Sequence, residues 1–210
     1  PTVHKTYGLN AGILSGDLTM VLSYSYLLRS GSELTLLPMF NEAARQICEG
    51  QQMDMDFEDQ DQVAYTEYLE MIRLKTAVLL GVSLRVGGTI AGAPEILQEK
   101  LYQIGENLGI SFQLQDDWLD AFGKKEKVGK KIGGDILRNK KTGLIIKARE
   151  MANAQDRSEL DKWFSDVQGG EEKIKSVLKI MEISGARSFV EQEVATYYQK
   201  ALKLLDELPL

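Results

Sequence analysis

Apolar residues recur at helical spacing along almost all of the chain, and no alternating run longer than a few residues reads as a strand. The pattern predicts an all-α fold in one domain covering residues 1–210. Helices are expected from about Gly8 to Leu28, from Asn41 to about Cys48 or beyond, from Val63 to Val86 and from Pro94 to Phe122. Others are expected over Gly143 to Ala152, Ser158 to Phe164, Gly170 to Ile183 and Gly185 to Leu205. Asn41 reads as an N-cap and Pro94 as a first helical residue, because each satisfies or removes an orphan amide. The acidic stretch Asp54, Asp56, Glu58, Asp59 and Asp61 reads as a connection, as does the pair Gly169 and Gly170. Prolines stand at positions 1, 38, 94 and 209, and the long Pro-free stretches between them favour helices over turn-rich sheets.

Composition narrows the class. With 210 residues, 43% of them hydrophobic, the chain has material for one sizeable core, and disordered and collagen-like classes are excluded. A single cysteine, Cys48, makes neither an intramolecular disulfide nor a Cys-rich metal site, which fits a reducing compartment. The longest apolar-looking stretch, Ala77 to Ala93, is broken by Arg85, Gly87 and Gly88, so a cytoplasmic protein without stable membrane insertion is expected. A net charge of −6 argues against a general nucleic-acid binder.

Gln113, Asp116, Asp117 and Asp120 are spaced i, i+3, i+4 and i+7, which places them on one helical stripe. Phe112, Leu114, Trp118, Leu119 and Phe122 fill the rest of the circumference, so the stripe is expected on an otherwise apolar, buried helix. Buried like charges repel and lose hydration, a cost that a bound cation offsets. Oxygen ligands without His or Cys nearby point to Mg²⁺ rather than Zn²⁺, and Mg²⁺ commonly takes phosphate oxygens to complete its octahedron. A solvated acidic face is the alternative.

Residues 123–141 hold seven lysines and Arg138 against Glu126 and Asp135, a local charge of +6 in a chain of −6. Glycines 123, 129, 133 and 134 let the backbone bend around an anion, and lysines supply mobile point charges. An acidic stripe followed by a basic loop suits a diphosphate; a solvated charge run or a weak nucleic-acid patch is the alternative, although no aromatic residue interrupts the lysines to stack a base. Lys75 and Thr76 stand in a nearly apolar helical stretch, where a lysine commonly snorkels to the surface. Gln51 and Asp54 form a further polar i, i+3 pair, and Tyr24, Tyr26, Tyr65 and Tyr68 read as core or wall residues. With His4 the one histidine and Cys48 the one thiol, no nucleophilic triad is supported.

Phe112 and Gln113, followed by Asp116, Asp117 and Asp120, resemble the second aspartate-rich motif of the trans-isoprenyl diphosphate synthases, the farnesyl, geranylgeranyl and polyprenyl diphosphate synthases. Lys131-Ile-Gly-Gly-Asp135 and Asn139-Lys140 resemble the elements that follow it, Lys75-Thr76 the family's mid-chain Lys-Thr pair, and Ile13 to Asp17 and Gly50-Gln51 to Asp54 align in order and type. The resemblance runs from Pro1 to about Arg149. It implies the isoprenoid synthase fold, a helical bundle around a central cavity. It also implies a homodimer that condenses isopentenyl diphosphate with an allylic diphosphate through a carbocation, with no nucleic acid involved. Asp116, as principal ligand, with Asp117 and Asp120 would bind Mg²⁺; Lys75, Lys131 and Lys140 would contact diphosphate; Thr76, Phe112 and Gln113 would face the reacting carbons. In the family a first aspartate-rich motif and an Arg-Arg-Gly element precede the Pro-Thr-x-His stretch with which this chain opens, so the chain resembles the C-terminal portion of a longer synthase. A non-catalytic subunit of a heteromeric prenyl synthase and a terpene cyclase are the competing readings; three aspartates at 116, 117 and 120 disfavour the cyclase.

Overall fold

The computed structural model describes residues 2–123, 132–165 and 169–208, and every regular element among them is helical. The order is α1 (Val3–Tyr7), α2 (Leu9–Leu27), α3 (Glu33–Asp59), α4 (Tyr65–Ile72), a π-helical turn (Arg73–Ala77), α5 (Val78–Ile90) and α6 (Glu95–Phe122). It continues with α7 (Gly134–Leu137), α8 (Gly143–Met151), α9 (Ala154–Ser165), α10 (Gly170–Ile183) and α11 (Ala186–Asp206). The all-α expectation holds.

Helix α6 is the central strut, with α5 along one side and α11 along another. Tyr68, Ile72, Leu114, Leu144, Ile145, Val177 and Met181 belong to one core, in which α4 and α8 pack on α6 and α10 packs on α7, α8 and α11. The Ser111 hydroxyl donates to the Val194 carbonyl at 2.9 Å, tying α6 to α11 across the core. Helix α2, by contrast, carries Leu14, Leu18, Val21 and Leu22 on exposed positions and has no buried residue.

Two of the expected starts differ. Asn41 is no N-cap: α3 begins at Glu33 and runs through Pro38. Leu34 and Pro38 are both exposed, so water can satisfy the carbonyl that proline leaves without a donor. Asn41 instead accepts a hydrogen bond from the Tyr24 hydroxyl at 2.7 Å, which ties α2 to α3. Pro94 sits one residue before α6 as its N-cap rather than inside it. The acidic stretch expected as a connection is helical as far as Asp59, because Met53 and Phe57 face inward at i, i+4 and hold that turn against the core. Nor is the expected helix over Val63 to Val86 continuous: it starts at Tyr65, where Glu67 accepts the Ala64 amide at 2.8 Å, and it widens to a π turn at Arg73.

That π turn is held by two glycines. A Cβ on Gly50 of α3 would lie 2.4 Å from the Lys75 backbone nitrogen, and one on Gly109 of α6 would lie 2.4 Å from the Ala77 Cα. Backbone therefore meets backbone on both flanks of the segment that carries Lys75 and Thr76. An alanine ordinarily stabilises a helix interior relative to glycine by about 1 kcal/mol. Gly50→Ala is expected to do the reverse and to destabilise the chain by about 1–3 kcal/mol in urea unfolding, since the clash is with backbone that cannot rotate away. A neutral or stabilising result would show that the close approach is not a constraint.

Candidate active site

The acid stripe lies on the last turns of α6, and its three aspartates occupy three different settings. Asp117 is 5% exposed and has both oxygens engaged: the Tyr68 hydroxyl donates to Oδ2 at 2.6 Å and the Gln113 amide to Oδ1 at 3.0 Å. The Thr76 hydroxyl in turn donates to the Gln113 carbonyl oxygen at 3.2 Å. One hydrogen-bonded chain thus runs from the π turn through α6 to α4. Asp120 is half-buried and accepts the Asp135 amide at 2.9 Å, while its own carbonyl accepts the Gly133 amide at 2.7 Å, so residues 133–135 fold back onto the end of α6. Asp116 is exposed. The stripe expected to be buried throughout is buried at Asp117 alone, because α4 and α8 cover one side of α6 and leave the next position open.

Lys75 and Lys140 reach this region from different elements. Lys75 donates to Asp54 of α3 at 2.6 Å, which joins the polar pair read from the sequence to the π turn. Lys140 follows α7; burial works against its ammonium, and the carboxylates of Asp117, Asp135 and Asp54 outweigh that and hold it above its ordinary range. Phe112, expected among the buried apolar residues, is 62% exposed. Lys131 lies outside the described residues, as do Lys124, Lys125 and Lys127. Lys75, Thr76, Gln113, Asp117 and Lys140 are therefore brought together with Asp54 and Asp135, and Asp116 and Asp120 flank them on the same helix end.

Tyr68 was readable only as a wall residue, yet it is a partner of the buried acid. It stands seven residues before Lys75, so a helical turn count places it near the same face, but the π turn shifts that count. Asp135 and Arg138 are the other unanticipated pair, with Arg138 donating to Asp135 at 2.6 Å. A concavity of about 1070 Å³ lies behind Asn139, lined by Val63, Ile146, Arg149 and Phe164; it is distinct from the acid stripe, which none of its walls includes.

Among the described residues no three His, Cys, Asp or Glu side chains converge closely enough to hold a metal ion unaided. The available donors are carboxylate oxygens on Asp116 and Asp120, a set that fits Mg²⁺ when phosphate oxygens complete its coordination. No described helix is long and apolar enough to cross a membrane.

Burial pushes the Asp117 carboxyl up to about 6, against Lys140 and the hydrogen bonds from Tyr68 and Gln113. An aspartate in an unfolded chain titrates near 4, so the native state binds more protons between those values. This group's favourable contribution is complete below about pH 4 and is lost as pH rises through about 6. Asp117→Asn removes the titration, and in metal-free urea unfolding its stability relative to the native chain should rise by about 2–3 kcal/mol between pH 4 and pH 7. Parallel profiles would place the Asp117 charge in a better-solvated setting than the one described.

Comparison with known proteins places the chain in a family. A model of the family described as polyprenyl synthetase matches residues 1–181. The geranylgeranyl pyrophosphate synthase of Geoglobus acetivorans is 36% identical over 215 residues, covering 99% of this chain and 65% of that protein. A crystal structure of a geranylgeranyl pyrophosphate synthase superposes with a TM-score of 0.93 at 43% identity, over 100% of this chain and 66% of its own. That of Corynebacterium glutamicum, complexed with isoprenyl diphosphate and magnesium, gives 0.84 at 28% identity, over 98% of this chain and 59% of its own. The chain thus spans about 65% of the length of the first of these relatives. From the match over residues 1–181, the shared helical architecture and the relatives, the chain belongs to the polyprenyl synthetase family.

Proposed function

We propose that this chain forms the diphosphate-binding part of a Mg²⁺-dependent prenyltransferase that joins isopentenyl diphosphate to an allylic diphosphate. The observation that carries the reading is the meeting of Lys75, Lys140 and the Asp116 to Asp120 helix end around the Thr76, Gln113 and Asp117 chain. The magnesium and isoprenyl diphosphate held together by the Corynebacterium glutamicum relative support pairing these acids with a metal and a diphosphate.

In the proposed reaction the allylic carbon–oxygen bond breaks, the diphosphate leaves with the electron pair, and the double bond of isopentenyl diphosphate forms the new carbon–carbon bond. Loss of one proton restores an alkene. Mg²⁺ held by Asp116 and Asp120 would neutralise charge on the leaving diphosphate. Lys75 and Lys140 place two ammonium groups beside the same oxygens, where negative charge develops. Asp117 keeps Gln113 oriented and Lys140 charged from within the protein. The Thr76 hydroxyl, whose proton is committed to Gln113, turns oxygen lone pairs toward its surroundings and suits a neighbouring positive carbon. Phe112, largely exposed here, offers an aromatic face to the same cation. Assembly as a homodimer belongs to the same proposal, supported by the exposed Leu79, Leu84 and Ile90 on α5, as does a reducing, cytoplasmic setting, in keeping with the free Cys48.

The test is calorimetry of the intact protein with an allylic thiolodiphosphate, which binds without ionising. Binding is expected only with Mg²⁺ present, and Asp116→Ala should weaken it about tenfold or more, the loss of a charge-assisted contact. Metal-independent binding, or full affinity in Asp116→Ala, would contradict the assignment. In a prenyl-transfer assay with labelled isopentenyl diphosphate, Lys75→Ala should lower kcat/KM by about ten- to a hundredfold for the same reason.

A further inference from the structure

Asn139 stands in the left-handed region at φ 55°, the one described residue other than glycine to do so. The turn it makes leads from α7 to Lys140: the Asn139 amide donates to Ile136 at 3.2 Å, and the Lys140 amide donates to Asp135 at 3.0 Å. Asparagine tolerates this conformation, but its backbone alone does not select it. The side chain is held at both ends. Its Nδ2 donates to the Phe164 carbonyl at 3.1 Å, and its Oδ1 accepts from Nζ of Lys173.

Lys173 comes from α10 and is 1% exposed, with its ammonium 5.3 Å from the centroid of the Phe164 ring. Lysine is almost never fully buried unless paired, because an ammonium loses its hydration there. One of the groups its ammonium meets is the side-chain amide of Asn139, next to Lys140. Asp135, whose carbonyl accepts the Lys140 amide, donates its own amide to Asp120 at 2.9 Å, so this turn is tied to the acid end of α6.

We propose that Lys173 is a positioning residue: by clamping the Asn139 side chain it locks the left-handed turn that aims Lys140 at the diphosphate. The proposal rests on the diphosphate reading of the site. It assigns a task to a helix that lies beyond the stretch where the sequence resemblance was specific, and it explains why asparagine precedes Lys140. Substrate need not touch Lys173. Its effect is transmitted through one side-chain amide and one backbone conformation.

Titration of the intact protein with inorganic pyrophosphate in the presence of Mg²⁺ separates this from a purely structural role, using Lys140→Met, Lys173→Met and the double variant. Lys140→Met should weaken pyrophosphate binding about tenfold, and Lys173→Met about three- to tenfold, as for losing or misdirecting one charged contact. The double variant should bind no more weakly than Lys140→Met alone, because residues acting through one another are not additive. Native affinity in Lys173→Met, or losses that add, would overturn the proposal. Native affinity in Lys140→Met would overturn the diphosphate reading beneath it. Should Lys173→Met fail to fold, Asn139→Gly keeps the left-handed backbone and deletes the clamp; the same non-additive loss is expected there, and native affinity would reject the clamp.

Discussion

Asp117 carries a carboxylate into the apolar interior, and the surrounding helices are arranged so that neither of its oxygens is left without a donor. A buried acid in this position is costly unless hydrogen-bonded. Tyr68 reaches it from α4 and Gln113 from one turn earlier on α6, and Thr76 of the π turn fixes Gln113 in the orientation that presents its amide nitrogen. The acid is thus a shared hydrogen-bonding point for α4 and α6, with the π turn joined to it through Gln113. Its charge also reaches outward, since it is one of the carboxylates that keep Lys140 protonated despite burial. The same group thus secures the interior and sets the electrostatics of the site.

The network is possible because backbones approach unusually closely beside it. The π turn holds one more residue than an α turn would, which breaks the helical register between Ile72 and Val78. Lys75 and Thr76 fall within that break, and the missing side chains of Gly50 and Gly109 admit it between α3 and α6. Lys75 then meets Asp54 while Thr76 meets Gln113, so two consecutive residues serve different partners. In a regular helix adjacent side chains also diverge, by about a hundred degrees.

Much of this was legible in the sequence, and the rest was not for identifiable reasons. The i, i+3, i+4, i+7 stripe on α6 was readable because helical spacing is strict and the acids are chemically distinct. Which of its members is buried was not: that depends on α4 and α8, which are distant in sequence. Local signals misled at Asn41, where a favourable cap residue lies inside a helix that passes through Pro38 and the side chain serves Tyr24 instead. They misled again over residues 54–59, where acidic composition suggested a connection while Met53 and Phe57 held the helix together. Tyr68 carries no mark of its role, since an apolar aromatic in a helix reads as core until its hydroxyl is placed against Asp117. Lys173 is hidden for the converse reason: a lysine in a charged helix reads as solvated, and the packing of α10 with α7 and α9 buries it.

In the reading proposed above, Asp116 and Asp120 contact the metal and Asp117 has an organising role instead. The most direct test is a crystal structure of the intact protein with Mg²⁺ and an unreactive allylic thiolodiphosphate. Asp117 should keep its hydrogen bonds to Tyr68 and Gln113, with the metal on Asp116 and Asp120 and the diphosphate between Lys75 and Lys140. An Asp117 rotated out to bind the metal, with the Tyr68 hydroxyl left to another partner, would contradict the account.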